Sequence, residues 1–287
     1  MLIHSNVDAK NNSIDTYQHW LQGVSVKNQL RNKLRRLIVN FLALGKNLSN
    51  AQASIRFPFY HHVFSDEILG FKRQLLFLRN YGEFISIDEA TKILETGTKI
   101  DGVYFCLTFD DGFKCCYTNA LPILSELQIP ATFYIVTDYV GHAFQATHNV
   151  TKNIFGFRGS EGLIEFMNWS ECKELINCGM TIGSHTKSHQ RLSRLSSKES
   201  YQELFESKNE IENKLAISCR HFCAPYGLIG RDFDLSIHGE LAKKLGYVSF
   251  STSNRGVNAI GASPFSILRD HLLANWDNQQ LKYFFSD

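Results

Sequence analysis

No stretch of this 287-residue sequence is apolar enough to cross a bilayer. The longest early apolar run, residues 37–44, is interrupted by Asn40 and falls well short of the roughly 20 residues a spanning helix needs. The first twelve residues are polar and contain Asp8, with no apolar centre followed by a small-residue cleavage site. The expectation is a cytoplasmic protein. An excess of charge is missing too. With 30 Lys and Arg against 28 Asp and Glu, the formal net charge is +2, without the strongly basic footprint of a nucleic-acid binder. A disulfide framework is also absent. The seven cysteines (Cys106, Cys115, Cys116, Cys172, Cys178, Cys219 and Cys223) are odd in number and mostly lie in apolar runs, as free thiols in a reducing compartment would. There is no internal repeat and no low-complexity segment. A composition of 44% hydrophobic and 20% charged residues excludes a disordered or fibrous chain.

What is present changes character near residue 50. Residues 1–50 read as a helical extension. Within it Lys27, Arg31, Lys33, Arg35 and Arg36 precede Leu37, Ile38, Phe41 and Leu42, a basic amphipathic pattern over 27–46. The expectation is a helix packed on the body; the other reading is peripheral contact with a membrane surface. From 51 to 287, strands alternate with helices. Strands are expected at 55–60, 84–87, 103–109, 131–136, 180–183, 221–224 and 247–250. Helices are expected after Ser65, over 89–94 with Asp88 as cap, and at 121–127, 170–178, 197–215 and 241–245. Residues 156–162 read as a loop. Such alternation predicts an α/β fold with parallel strands joined by crossover helices.

Four polar clusters fall where predicted strands end. Asp110-Asp111-Gly112 follows 103–109, His185 and His189 follow 180–183, Pro225-Tyr226-Gly227 follows 221–224, and Arg269 and His271 follow the apolar 265–268. Functional groups of parallel α/β sheets gather at the C-terminal strand ends, so these clusters are expected to share one pocket. Neighbouring residues of an extended segment point in opposite directions. One of the two aspartates can therefore bind a metal while the other stays free as a base, although Asp-Asp-Gly alone would equally suit a turn. His185 and His189, four apart, are expected on a helical turn with both rings on one ion. Asp111 would complete a His-His-Asp site with positions open to water and substrate.

Three segments then resemble the polysaccharide deacetylases of carbohydrate esterase family four: Thr108-Phe109-Asp110-Asp111-Gly112, Ser184-His185-Thr186-Lys187-Ser188-His189 and Phe222-Cys223-Ala224-Pro225-Tyr226-Gly227. Order and spacing agree as well as identity. The resemblance runs from about Phe57 to the end and takes in Phe-Pro-Phe-Tyr-His-His-Val at 57–63 and the segment around Trp169. It implies a distorted (β/α)7 barrel, TIM-like, over 51–287 behind the N-terminal helical extension of 1–50. By this resemblance Asp111, His185 and His189 match the metal ligands and Asp110 the general base. Tyr226, after Pro225, supplies the backbone N–H of the oxyanion site. Two positions depart from the family. Cys223 stands where many members carry an arginine that orients the base, and Arg269 is expected to supply that charge instead. Arg269 in turn occupies the leucine position of the family's final motif. His271 in that motif is the expected catalytic acid, oriented by Asp270 or another acid, with His61 and His62 as alternatives.

The resemblance implies a metal-dependent N-deacetylase of surface-glycan biosynthesis, acting on an acetylated saccharide such as an N-acetylglucosamine derivative, lipid-linked or nucleotide-linked. The alternatives are an O-acetyl esterase and a non-catalytic glycan-binding protein. Zinc is the expected ion, although cobalt, nickel, manganese and iron suit the same donors.

Overall fold

The computed structural model of the chain describes residues 13–46, 48 and 52–286. Two helices come first, α1 (Tyr17–Gln22) and α2 (Val26–Leu42). The apolar run at 54–60 then splits into β1 (Ser54–Arg56) and β2 (Pro58–Tyr60). After β3 (Glu83–Phe84), the run at 103–109 splits likewise into β4 (Val103–Phe105) and β5 (Leu107–Phe109). The halves serve different sheets. β1 and β4 pair with each other, and β3 joins β4, in a small outer sheet, whereas β2 and β5 pair in the main one. Each run therefore contains a change of sheet where one continuous strand was expected.

The main sheet is completed by β6 (Ala131–Ile135), β9 (Thr181–Ser184), β10 (His221–Cys223), β11 (Ser249–Ser251) and β12 (Asp270–His271). A separate antiparallel pair is formed by β7 (Ala143–Gln145) and β8 (Leu163–Glu165). Among the described residues the main sheet has seven strands in the order β11–β10–β9–β6–β5–β2–β12, every neighbouring pair parallel. It curls until its ends meet. Ser251 bridges to Ile267, three residues before β12, where the Ile267 N–H donates to Phe250 O and the Thr252 N–H to Ile267 O, both at 3.0 Å. This is the distorted (β/α)7 barrel that the motifs implied.

Helices α3 (Ile68–Arg79), α4 (Ile87–Thr96), α5 (Leu121–Leu127), α6 (Trp169–Asn177), α7 (Ser197–Leu215), α8 (Glu240–Lys244) and α9 (Asn278–Phe285) follow in chain order. Sequence-local capping sets several of their starts. Ser196 accepts from the Glu199 N–H while Glu199 reaches back to the Ser196 N–H, so α7 begins where its pattern predicted. For α4 the cap is Ser86 rather than the expected Asp88, because Ser86 and Glu89 form the same reciprocal pair. Asp88 instead meets Arg220 and His221. Phe109 stacks on Phe133 at 4.6 Å and Tyr60 meets Phe71 edge-on at 5.3 Å in a continuous aromatic core. Each such ring buried on folding contributes about 1.5–3 kcal/mol.

The segment before the barrel is strapped to it. Ile14 N–H donates to Leu163 O, Ser65 N–H to Asp15 O, Tyr17 N–H to Asp66 Oδ1 and Arg158 N–H to Gly23 O. These bonds hold Trp20 of α1 against His62 and Phe64, just beyond the end of β2. Helix α2 packs on the body beside α9, where Arg36 and Asn40 hold Asp277, but it does so with only a narrow face. Val39 and Ala43 are buried, whereas Leu30, Leu34, Leu37, Ile38, Phe41 and Leu42 are exposed.

Candidate active site

The expected strand-exit clusters converge. A cavity of about 530 Å³ is lined by His61, Asp110, Asp111, His185, His189, Tyr226, Arg269 and His271, with aromatic walls that include Tyr17, Trp20, Phe59, Phe64, Phe113 and Phe155. The residues come from the ends of β2, β5, β9, β10 and β12, so the barrel's curvature brings together groups far apart in sequence.

Asp111 Oδ1 lies 3.3 Å from His185 Nε2 and 3.1 Å from His189 Nε2. All three residues are buried, and Asp111 Oδ1 has no hydrogen-bond partner among the described residues. The His185 Nδ1–H donates to Cys223 O at 2.8 Å, so in the neutral ring the lone pair sits on Nε2, the atom that faces Asp111. With both rings neutral, the Asp111 oxygen and the two Nε2 atoms are a donor set for a divalent cation, and the residues fit one. A second cluster, Asp110, His185 and Cys223, also places three potential ligand atoms close together. It does not fit, because the Arg269 guanidinium already contacts both Asp110 and Cys223.

Arg269 is fully buried and uses all five N–H groups. Nη1 and Nη2 fork Asp110 Oδ1 and Oδ2, each at 2.7 Å; Nε donates to Thr252 O at 2.6 Å, Nη1 to Thr108 Oγ1 and Nη2 to Cys223 Sγ, both at 3.0 Å. Arg269 thus stands on Asp110 from the segment just ahead of β12, not from β10, which holds Cys223. Burial works against ionised Asp110, but the Arg269 charge and its hydrogen bonds hold the carboxyl below the ordinary range. Burial likewise opposes ionised Asp111, and the His189 and His185 rings outweigh it, keeping that carboxyl well below its usual value.

The backbone here is under tension. Among the described residues six non-glycines have positive φ, and four of them are Asp111 (73°), Thr186 (66°), His189 (60°) and Tyr226 (61°). Strain of this kind persists only where surrounding contacts enforce it. The expected helical turn at 185–189 is corrected: the segment is an irregular loop with two left-handed residues. Glu203 of α7 pins it by accepting from the Ser188 N–H and Oγ–H, and Tyr139 donates to Ser188 O. Neither residue carried a sequence signal, since Glu203 sits in a polar stretch of α7 that reads as a solvent face. Gly227 (φ 75°) is required where it stands, because a Cβ there would lie 2.7 Å from Ser253 N. Beside it Pro225 is buried, and the Tyr226 N–H has no hydrogen-bond partner among the described residues.

His271 lies in the cavity wall with Nε2 3.2 Å from His61 Nδ1, and His61 Nε2 is 3.9 Å from Asp111 Oδ2. Enclosure, followed by repulsion from His61, pulls His271 down to about 3, so its ring is neutral at neutral pH. Asp270 is not its partner. It points to the opposite face of β12 and takes Arg56 Nε and Nη2 at 3.0 and 2.8 Å. His62 turns from the centre and packs on Phe113 and Trp20.

Residues 99–250 match the family model for polysaccharide deacetylase, a little over half of the chain. The chain is similar to the poly-beta-1,6-N-acetyl-D-glucosamine N-deacetylase of Staphylococcus epidermidis, 27% identical over 164 residues, or 56% of this chain and 54% of that protein. It is 26% identical to the protein of the same name from Staphylococcus aureus (strain MSSA476) over 217 residues, 72% of this chain and 70% of that one. The chain spans about half the length of the first curated relatives it matches. In fold it is similar to IcaB from Ammonifex degensii, with TM-score 0.67 and 21% identity, covering 82% of this chain and 98% of that one. It is also similar to the deacetylase PplD of Streptococcus pyogenes, with TM-score 0.62, 21% identity and the same coverage.

Proposed function

The chain belongs to the polysaccharide deacetylase family, and we propose that it hydrolyses the acetamide of an N-acetylated sugar in the strand-exit cavity. The observation that carries this reading is the convergence of Asp111, His185 and His189 beside a separate carboxylate, Asp110, that Arg269 holds. Asp111, His185 and His189 would hold a divalent ion, for which zinc is our choice. When bound there, such an ion polarises an acyl carbonyl and makes water easier to deprotonate. Asp110 takes the proton of the attacking water, and Arg269 keeps it ionised and aimed. The Tyr226 N–H donates to the developing oxyanion. His271 protonates the leaving amine. Being neutral at rest, it must first gain that proton during the cycle, and His61 is within hydrogen-bonding reach to relay it.

The aromatic walls given by Tyr17, Trp20, Phe64 and Phe113 suit a sugar that carries a lipid or a nucleotide. The seven unpaired thiols support a reducing, cytoplasmic setting for such an intermediate. The neutral state of His271 favours one second reading, an O-acetyl esterase, because an alcohol leaves with less help from an acid than an amine does. The test is acetate release from matched N-acetyl and O-acetyl saccharides, with metal content measured on the same preparation. Release from neither, with metal bound, would sink both readings.

A further inference from the structure

Helix α2 turns its apolar side away from the protein. Val26, Leu30, Leu34, Leu37, Phe41 and Leu44 recur at spacings of three and four and are 57–80% exposed, with Ile38 and Leu42 beside them. On the opposite side Val39 and Ala43 are buried, and Arg36 and Asn40 hold Asp277 at the start of α9. Eight of the sixteen large apolar side chains exposed among the described residues thus fall between residues 26 and 44. A concentration of that kind marks an interaction surface.

Charge identifies the occupant. The helix carries Lys27, Arg31, Lys33, Arg35 and Arg36 and no acidic residue. At 100° per residue, Lys27, Arg31 and Arg35 line one flank of the stripe and Lys33 the other. Among the described residues, Arg36 alone of the five pairs with an acid. A second copy of the helix would bring five more cations and no anion to meet them. With 17 residues and this charge, the helix is also no membrane span. We propose that α2 lies on an anionic lipid surface, its stripe in the headgroup–acyl boundary and its flanking cations over the lipid phosphates. Residues 23–25 alone separate it from α1, whose Tyr17 and Trp20 line the cavity, so docking brings the cavity wall to the lipid. This inference stands apart from the reaction assigned to the site.

The test is co-sedimentation of the full chain with phosphatidylcholine vesicles, with and without added phosphatidylglycerol. Binding is expected on the anionic vesicles, much weaker on the neutral ones, and falling with salt. Lys27→Glu with Arg31→Glu should weaken it by about fivefold or more per cation removed. Leu34→Glu with Phe41→Glu should weaken it at least as much. Both pairs are on the exposed side, so melting temperature and turnover of a soluble substrate should stay at wild-type values. Absence of binding to anionic vesicles, or wild-type binding by either double variant, overturns the proposal. So does a dimer in light scattering that the Leu34/Phe41 variant dissolves, which would identify a second copy as the occupant.

Discussion

Asp110 and Asp111 share a peptide bond, but their surroundings differ: a guanidinium grips one and two imidazoles face the other. Separate losses are therefore expected. Asp111→Ala should lose bound metal and turnover together. Asp110→Asn keeps the shape and should keep the metal, yet lose about 10²–10⁴ in rate, the usual contribution of a positioned base. Elemental analysis and acetate release on both variants check this, and near-wild-type turnover of metal-loaded Asp110→Asn would refute the base assignment. His271 allows a sharper discrimination. With its ring pulled down to about 3, it matters only where a leaving group demands a proton. His271→Ala should cost about 10²–10⁴ on an acetamide and little on an activated acetate ester. Equal losses on the two substrates would remove it from the role of acid.

At the level of elements, the short turn that starts α3 holds an unusual carboxyl. Glu67 accepts from the Phe64 N–H, and burial lifts it from 4.5 to about 8. The folded chain therefore keeps a proton that the unfolded chain releases. The stability this group contributes is whole below about pH 4.5 and is lost as pH rises through about 8. Glu67→Gln retains an acceptor without titrating, so its advantage over wild type should grow across that window to a few kcal/mol, at about 1.4 kcal/mol per unit. Urea midpoints at several pH values measure it; a pH-independent difference would contradict the assignment. Much of this level was legible in the sequence. The bounds of α7 follow from Ser196 and Glu199, and the motifs at 110–112, 185–189 and 225–227 lie at strand exits, whereas 265–268 is no strand and Arg269 precedes β12. The sheet changes at Phe57 and Cys106 were not legible, because a run buried on both faces reads as one strand. Nor was the 185–189 loop: a spacing of four suits a helix, and the Glu203 contact that forces another shape comes from 15 residues away.

For the whole molecule, the site exists only because the barrel closes. Asp110 and Arg269 are 159 residues apart, and an arginine from just ahead of β12 on Asp110 could be inferred from the sequence only as a compensation for Cys223. The closure itself is slender. β6 and β9 register over four residue pairs, whereas among the described residues β11 meets the chain ahead of β12 at one bridge, Ser251 to Ile267, with the Phe250 N–H donating to Pro264 O beside it. The hoop therefore has a seam, and Arg269, donating to Thr252 O while gripping Asp110, is its staple. Amide exchange should expose this. Ile267 and Thr252 should exchange before the amides of β6, through local openings that need no global unfolding. Acetate or a saccharide seated against Asp110 should slow both, and uniform exchange around the barrel, unmoved by ligand, would contradict it. The seam makes the Asp110 carboxylate a reporter of the barrel's breathing: whatever loosens the hoop slackens that carboxylate, and whatever occupies it draws the hoop shut.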